Sequence, residues 1–141
     1  MAEGGGNVVS QGLRPLRILL AEDYQNNRLV IQTYLKNTPC HLDIAENGEI
    51  AVEKAKYGAY DLVLMDMQMP IMDGYSATKA IRQWEREQGL APTPIIALTA
   101  NALNEDVKKS LKAGCTSHLA KPLGKAELLS AILENTGSGE V

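Results

Sequence analysis

The chain is poor in the residues that mark several common classes of protein. Its 141 residues include no Phe and one Trp, and aromatic residues make up only 4% of the total, so a folded core must be built from aliphatic side chains. Its two cysteines, Cys40 and Cys115, are not spaced as a CxxC pair, which favours two reduced thiols over a disulfide framework or a zinc site. The formal net charge of −3 offers no general attraction for nucleic acid or for an anionic membrane surface.

Long apolar runs are missing as well. No segment approaches the roughly 20 apolar residues that a membrane-spanning helix requires. The N-terminus, MAEGGGNVVSQG, lacks the basic start and apolar centre of a signal peptide. These features predict a cytoplasmic domain that makes no membrane contact of its own. With 45% hydrophobic and 22% charged residues, the composition is that of one globular domain.

The two ends of the chain differ from its middle. Residues 1–14 are rich in glycine and show no period, so we interpret them as a flexible tail or a linker. Residues 136–141 read TGSGEV and are interpreted as a second flexible tail. A single domain is therefore predicted over 15–135.

Short apolar runs recur through the middle of the chain. The three strongest, RILLA, DLVLM and PIIAL, are continuous rather than alternating, which is typical of strands that helices cover on both faces. Two weaker segments fit between and after them. The five predicted strands cover 17–21, 41–45, 61–65, 94–98 and 116–120.

Helical periodicity fills the segments between the strands. In the first helix, Leu29, Val30, Tyr34 and Leu35 are expected on the inward face. Five strands alternating with five helices predict an α/β domain with a parallel sheet and short connections. The predicted helices cover 24–37, 49–57, 76–87, 104–113 and 125–134.

Polar residues follow the predicted strands at the points where the strands end. Glu22 and Asp23 follow the first strand, Asp66 the third, Thr99 the fourth and Lys121 the fifth. Taken singly, each has an ordinary structural explanation, such as a helix cap. In an open parallel sheet, however, the carboxyl ends of the strands line one crevice. The sequence therefore predicts three carboxylates, one hydroxyl and one ammonium at a common edge.

This set of side chains indicates phosphoryl chemistry. Three converging carboxylates repel one another unless a cation lies among them, and oxygen ligands without His or Cys suit Mg²⁺. A carboxylate can also act as a nucleophile toward phosphorus, and Asp66, at the end of the central strand, is the candidate. The Thr99 hydroxyl and the Lys121 ammonium could then hold the remaining phosphoryl oxygens.

The same residues, in the same order, resemble a known family. The motifs ILLAEDYQNN, DLVLMDMQMPIMDG, PIIALTANA and HLAKP resemble those of the receiver domain of two-component response regulators. The resemblance covers roughly residues 16–135 and is greatest to the receivers of hybrid histidine kinases. It implies a flavodoxin-like, doubly wound sheet of five parallel strands in the order 2-1-3-4-5 with five helices. It also implies a cis peptide bond between Lys121 and Pro122.

The resemblance assigns a role to each acidic position. Asp66 would accept a phosphoryl group from a phosphohistidine on a partner. Glu22, Asp23 and Asp66 would bind Mg²⁺ together with the backbone carbonyl of Gln68.

It also implies a conformational switch. Thr99 would contact the phosphoryl oxygens, and Lys121 would form an ion pair with them. Thr99 and His118, which stands where the family often has an aromatic residue, would couple phosphorylation to the surface formed by 104–113 and 116–120.

The implied partner is a histidine kinase or a histidine phosphotransfer domain, and the chain itself would be a signalling domain rather than an enzyme. Two alternatives remain at this stage. One is a pseudo-receiver, which keeps the fold as an interaction module without phosphorylation. The other is a phosphatase of the haloacid dehalogenase type, but that family places an acid where Gln68 stands here.

Overall fold

The computed structural model describes residues 13–100 and 104–137. The five strands are β1 (Arg17–Ala21), β2 (His41–Ala45), β3 (Leu62–Asp66), β4 (Ile95–Thr99) and β5 (Ser117–Ala120). The five helices are α1 (Gln25–Leu35), α2 (Gly48–Gly58), α3 (Gly74–Gln88), α4 (Asn104–Ala113) and α5 (Lys125–Thr136). Residues 1–12 and 138–141, which make up most of the two predicted tails, lie outside the described residues.

All five strands join one parallel sheet in the order β2-β1-β3-β4-β5. β1 pairs with β2 and with β3, and β4 pairs with β3 and with β5. The predicted α/β class, the strand order and the number of elements are confirmed. The predicted strands are accurate to within one residue, and the structure places Asp66 and Thr99 as the last residues of their strands rather than just after them.

Helices cover both faces of the sheet, which explains why β3 and β4 are apolar up to their last residues. All five residues of β3 and all five of β4 are buried. On one face, Ile18 and Leu20 pack with side chains of α1 and α5, and on the other Leu19 and Ala21 pack with side chains of α2 and α3. Alternate residues of a strand point to opposite faces, so a strand buried on both sides shows no polar alternation.

The inward face of α1 differs from the predicted one. Leu29 and Val30 are 49% and 42% exposed, whereas Ile31 and Leu35 are 2% and 4% exposed and belong to the core. The prediction was therefore wrong for Leu29 and Val30, and it is confirmed for Leu35. Three apolar residues in succession span more than half of a helical turn, so the pattern alone does not decide which of them faces the sheet.

The core also begins earlier than the predicted domain. Leu13, placed in the tail by its glycine-rich context, is 5% exposed and packs in the cluster beneath α1 and α5. The guanidinium of the neighbouring Arg14 donates to the carbonyl oxygen of Thr136 at 3.2 Å. Both residues belong with the domain, because they are held by packing and by a hydrogen bond to α5.

The two cysteines are free thiols in the structure, with Cys115 buried and Cys40 partly buried. Across 13–100 and 104–137, none of the helices is both long and apolar enough to cross a bilayer.

Candidate functional site

The carboxyl ends of β1, β3, β4 and β5 meet at one edge of the sheet. Glu22 follows β1 directly, Asp66 ends β3, Thr99 ends β4 and Lys121 follows β5. Because β3 lies between β1 and β4, Asp66 stands at the centre of this group. The strand order therefore brings together side chains that are up to 99 positions apart in the sequence.

Lys121 connects two of the carboxylates. Its Nζ lies 3.2 Å from Glu22 Oε1 and 3.2 Å from Asp66 Oδ1. Glu22 is 1% exposed and Asp66 is 4% exposed, so both carboxylates are largely removed from water. Burying two carboxylates beside one ammonium leaves an excess of negative charge among these three side chains.

Asp23 completes an acidic cluster at this edge. Glu22, Asp23 and Asp66 each offer a carboxylate oxygen, and these oxygens all lie within 4.8 Å of one another. Burial raises the pKa of Asp66 to about 6 and the neighbouring Glu22 adds to the effect, while Lys121 and the backbone N–H of Gln68 oppose it. Such a cluster of hard oxygen donors fits Mg²⁺, which binds through few carboxylates and retains several waters.

Thr99 and His118 lie on adjacent strands next to the cluster. Thr99 is 2% exposed, and its hydroxyl donates only a long hydrogen bond of 3.5 Å to the carbonyl oxygen of Leu119. A contact of that length is weak, so the hydroxyl can turn toward a better acceptor at little cost. His118 is half-buried and pairs in register with Ala97, two residues before Thr99.

The loop after Asp66 is tightly folded against the strand end. The N–H of Gln68 donates to Asp66 Oδ1 at 3.2 Å. A Cβ at Gly74 would lie 2.3 Å from the carbonyl oxygen of Asp66, so only glycine fits there. Ile71 is 74% exposed and adopts a φ of 71°, a conformation that costs a β-branched residue about 1–3 kcal/mol.

The first turns of α1 hold the acidic loop that follows β1, a role that the sequence reasoning missed. The amide of Asn27 and the N–H of Tyr24 donate to Glu22 Oε2 at 3.3 and 3.2 Å. Arg28 Nη1 donates to the carbonyl oxygens of Glu22 and Asp23 at 3.0 and 3.1 Å. The only sequence signal for this role is a cation near the start of a helix, where the helix dipole disfavours it.

A cavity of about 200 Å³ adjoins the cluster between α1 and the segment after β5. Glu22 and Lys121 contribute to its wall, and Val30 and Leu123 supply apolar surface. Leu123 is only partly buried and packs against the core, and its carbonyl oxygen accepts a hydrogen bond of 2.9 Å from the Tyr34 hydroxyl. The bond between Lys121 and Pro122 is cis, as predicted.

Comparison with known sequences identifies relatives over most of the chain. The sequence profile of the response regulator receiver domain matches residues 18–133. The sensor protein GacS of Pseudomonas syringae is 40% identical over 124 residues, which are 88% of this chain but only 14% of that protein. The two-component response regulator ORR41 of rice is 44% identical over 117 residues, covering 80% of this chain and 88% of that protein.

Solved structures of receiver domains superpose on most of this chain. The receiver domain of the sensor histidine kinase PA1611 from Pseudomonas aeruginosa, which has a magnesium ion coordinated in its active-site cleft, superposes with a TM-score of 0.79. It is 41% identical, and the match covers 89% of this chain and all of that one. The receiver domain of yeast Ssk1, crystallised with the histidine phosphotransfer protein Ypd1, superposes with a TM-score of 0.86 at 31% identity, over 92% of this chain and 94% of that one.

Proposed function

Because this chain belongs to the response regulator receiver domain family, we propose that it accepts a phosphoryl group on Asp66 from a phosphohistidine. The observation that carries the proposal is the position of Asp66. Its carboxylate is 4% exposed at the end of the central strand, with the Lys121 ammonium 3.2 Å away and the Glu22 and Asp23 carboxylates close by.

The acidic cluster is the proposed magnesium site. Glu22, Asp23 and Asp66 would hold the ion with the backbone carbonyl of Gln68. When bound, Mg²⁺ would neutralise charge on the carboxylates and on the incoming phosphoryl group, which otherwise repel each other. The proposal is supported by the donor chemistry, since all three side chains are carboxylates within 4.8 Å of one another.

Asp66, Lys121 and Thr99 would each contribute to the transfer of the phosphoryl group. An oxygen of ionised Asp66 attacks phosphorus in line, the new O–P bond forms, and the P–N bond to the donor imidazole breaks. Lys121 would balance the charge of the transferred group, because its Nζ already lies 3.2 Å from Asp66 Oδ1. The Thr99 hydroxyl would leave Leu119 and donate to a phosphoryl oxygen.

Movement of Thr99 provides the proposed switch. When its hydroxyl turns toward the phosphoryl group, space opens beside β5 into which His118 can turn. Because α4 follows β4 and leads into β5, the surface of α4 and β5 would shift with it. Phosphorylation would then shift the equilibrium between two folded conformations of this surface.

The proposed partner is a helical, histidine-bearing domain that docks beside the cluster. The donor imidazole must reach Asp66, and the exposed side of α1 borders that approach with Leu29 and Val30, which are 49% and 42% exposed. Leu123 lines the adjoining cavity. A few apolar anchors of this kind suit the docking of a helix.

The chain spans 14% of the GacS sensor protein that it resembles and 5% of the hybrid signal transduction histidine kinase M of Dictyostelium discoideum. Function as the cytoplasmic receiver of a longer hybrid kinase is therefore part of the proposal. Leu123→Asp would test the docking surface, since it should slow transfer from a phosphohistidine protein and leave labelling by acetyl phosphate unchanged. An equal loss of both activities would point to damage of the fold or the site.

The decisive experiment measures intact mass after incubation with acetyl phosphate and Mg²⁺. The wild-type protein should gain one phosphoryl group, and Asp66→Asn should gain none. Asp61→Asn is the matched control, because Asp61 lies immediately before β3 at the opposite end of the same strand and should leave labelling intact.

The same measurement separates the alternatives. Undiminished labelling of Asp66→Asn would disprove the assignment of the phosphoacceptor. A wild-type protein that neither takes up phosphoryl groups nor binds Mg²⁺ would be a pseudo-receiver. Multiple turnover of small phosphate esters would instead indicate a phosphatase of the haloacid dehalogenase type.

A further inference from the structure

Arg28 occupies an electrostatically unfavourable position near the start of α1. The helix begins at Gln25, its N-cap residue Tyr24 makes no side-chain capping hydrogen bond, and its first turn contains no acidic residue. The N-terminal end of a helix carries a partial positive charge, which repels a cation. Contacts with negatively polarised groups offset this repulsion.

The offsetting groups are two backbone carbonyls of the acidic loop. Arg28 Nη1 donates to the carbonyl oxygen of Glu22 at 3.0 Å and to that of Asp23 at 3.1 Å. A terminal guanidinium nitrogen carries two hydrogens, so it can serve both acceptors at once. The contacts are made to the backbone of the two acidic residues, and their carboxylates remain available for the cluster.

Fixing these two carbonyls fixes the direction of one side chain. The peptide planes that carry them lie on either side of the Cα of Asp23, and each plane is rigid. When both planes are pinned, the direction of the Asp23 Cα–Cβ bond is set. Asp23 is exposed, so packing does not orient it. Glu22, in contrast, is buried and is held by Lys121 and Asn27.

We propose that Arg28 is a positioning residue for the magnesium site: it holds the turn between β1 and α1 so that the Asp23 carboxylate faces the ion. The inference rests on the proposed function, because the ion is the one that Glu22, Asp23 and Asp66 are proposed to bind. Arg28 itself touches neither the ion nor the phosphoryl group.

Two physical effects of removing Arg28 have opposite signs, which makes the proposal testable. Loss of a positive charge near the cluster would strengthen Mg²⁺ binding, because the repulsion between two cations is relieved. Loss of the two hydrogen bonds would weaken Mg²⁺ binding, because Asp23 would no longer be held in place. Groups that orient metal ligands through hydrogen bonds typically change metal affinity about 10–100-fold, so the second effect should dominate.

The test compares Mg²⁺ dissociation constants by NMR titration of the full chain, with no phosphodonor present. Arg28→Gln should bind Mg²⁺ about tenfold more weakly than wild type. Arg86→Gln is the matched control, since Arg86 is exposed in the last turn of α3 and its replacement makes the same change in net charge. Its affinity should equal that of wild type.

Unfolding in denaturant, with and without Mg²⁺, gives an independent readout. A bound ion stabilises the folded state according to its affinity, so the Mg²⁺-dependent shift of the unfolding midpoint should be smaller in Arg28→Gln than in Arg86→Gln. If Arg28→Gln is too unstable to titrate, Arg28→Lys replaces it. Lysine keeps the charge, and so the repulsion between the two cations, but not the guanidinium geometry, so we expect an affinity at least about tenfold weaker than wild type.

Unchanged or tighter Mg²⁺ binding by the Arg28 variants would overturn the inference, as would an equal loss in Arg86→Gln. A wild-type protein that binds no Mg²⁺ would overturn the proposed metal site instead. The two failures are therefore distinguishable from the same set of titrations.

Discussion

The two ends of the sheet are both rich in polar side chains, but they differ in how their charges are balanced. At the amino end, Asp61 accepts a hydrogen bond of 2.8 Å from the backbone N–H of Arg17. Asp43, the middle residue of β2, contacts side chains at this end. It lies 3.5 Å from the Arg17 guanidinium and 2.9 Å from His41 Nε2, and it accepts a hydrogen bond of 2.6 Å from the Tyr60 hydroxyl. Each acid there has donors of its own.

At the carboxyl end, three carboxylates lie beside the ammonium of one lysine. Glu22 and Asp66 share the ammonium of Lys121, and Asp23 adds a third carboxylate within 4.8 Å.

The pKa values respond in opposite directions at the two ends. At the amino end, the Tyr60 hydroxyl holds the pKa of Asp43 below its usual value of 3.8. At the carboxyl end, burial and Glu22 raise the pKa of Asp66 to about 6. An acid whose charged form is stabilised by neighbouring groups contributes to the stability of the fold. An acid whose charged form is destabilised by burial and by another carboxylate is typical of a site that binds a cation or reacts with a substrate. The carboxyl end, where an acid is destabilised in its charged form, is therefore the end that we propose as the functional site.

Substitution of one acid at each end of the sheet should produce the largest difference in Mg²⁺ affinity. Asp23→Asn should weaken Mg²⁺ binding about 10–100-fold, because it removes a charged ligand of the proposed site. Asp61→Asn, at the opposite end, should leave the dissociation constant unchanged. NMR titration measures both, and equal affinities in the two variants would contradict the asymmetry.

Removing the central acid should stabilise the metal-free protein. Because the pKa of Asp66 is raised from 3.8 to about 6, the folded state takes up a proton more readily than the unfolded chain. The stability associated with this group is therefore fully present below pH 4 and is lost as the pH rises through about 6.

At pH 8 in the presence of a chelator, Asp66→Asn should thus raise the free energy of unfolding by about 1–2 kcal/mol, a gain that should vanish near pH 4. Urea unfolding across this pH range provides the measurement. A variant that is no more stable than wild type at pH 8 would show that the ionised Asp66 carboxylate does not destabilise the folded state.

Loss of a donor at the amino end should have the opposite effect on stability. Tyr60→Phe should lower the free energy of unfolding at pH 7 by about 0.5–1 kcal/mol, because Asp43 loses the hydroxyl that favours its charged form. The stability due to the lowered pKa of Asp43 is present above 3.8 and is lost as the pH falls through the lower folded-state value. The difference between Tyr60→Phe and wild type should therefore shrink in acid, and a difference that persists unchanged at pH 2 would assign it to packing.

The smallest effect is expected from Thr99→Ala. The protein should still be labelled on Asp66 by acetyl phosphate, but the phosphorylation-dependent NMR shifts around Leu111 and His118 should be reduced. Thr99 makes only a 3.5 Å hydrogen bond in this state, so stability should change by less than about 1 kcal/mol. Identical shifts in wild type and Thr99→Ala would contradict the proposed switch.

Much of the fold and the composition of the acidic edge could be predicted from the sequence. Continuous apolar runs, each ending in a polar residue, indicate parallel strands buried on both faces, and parallel strands in one sheet bring their carboxyl ends to one edge. Glu22, Asp66 and Lys121 could therefore be grouped without coordinates, although 99 positions separate Glu22 from Lys121.

The α/β class and the gathering of polar residues near the strand ends follow from the sequence alone, because they depend on local patterns and on the geometry common to all parallel sheets. The side of α1 that faces the core is set by tertiary packing, since Leu29, Val30 and Ile31 are all apolar but only Ile31 of the three is buried. Tertiary structure also determines that Leu13 packs in the core and that Arg28 reaches back to the carbonyls of Glu22 and Asp23. These outcomes depend on the angle at which a helix or a terminal segment lies against the sheet, and that angle is set by packing between distant residues.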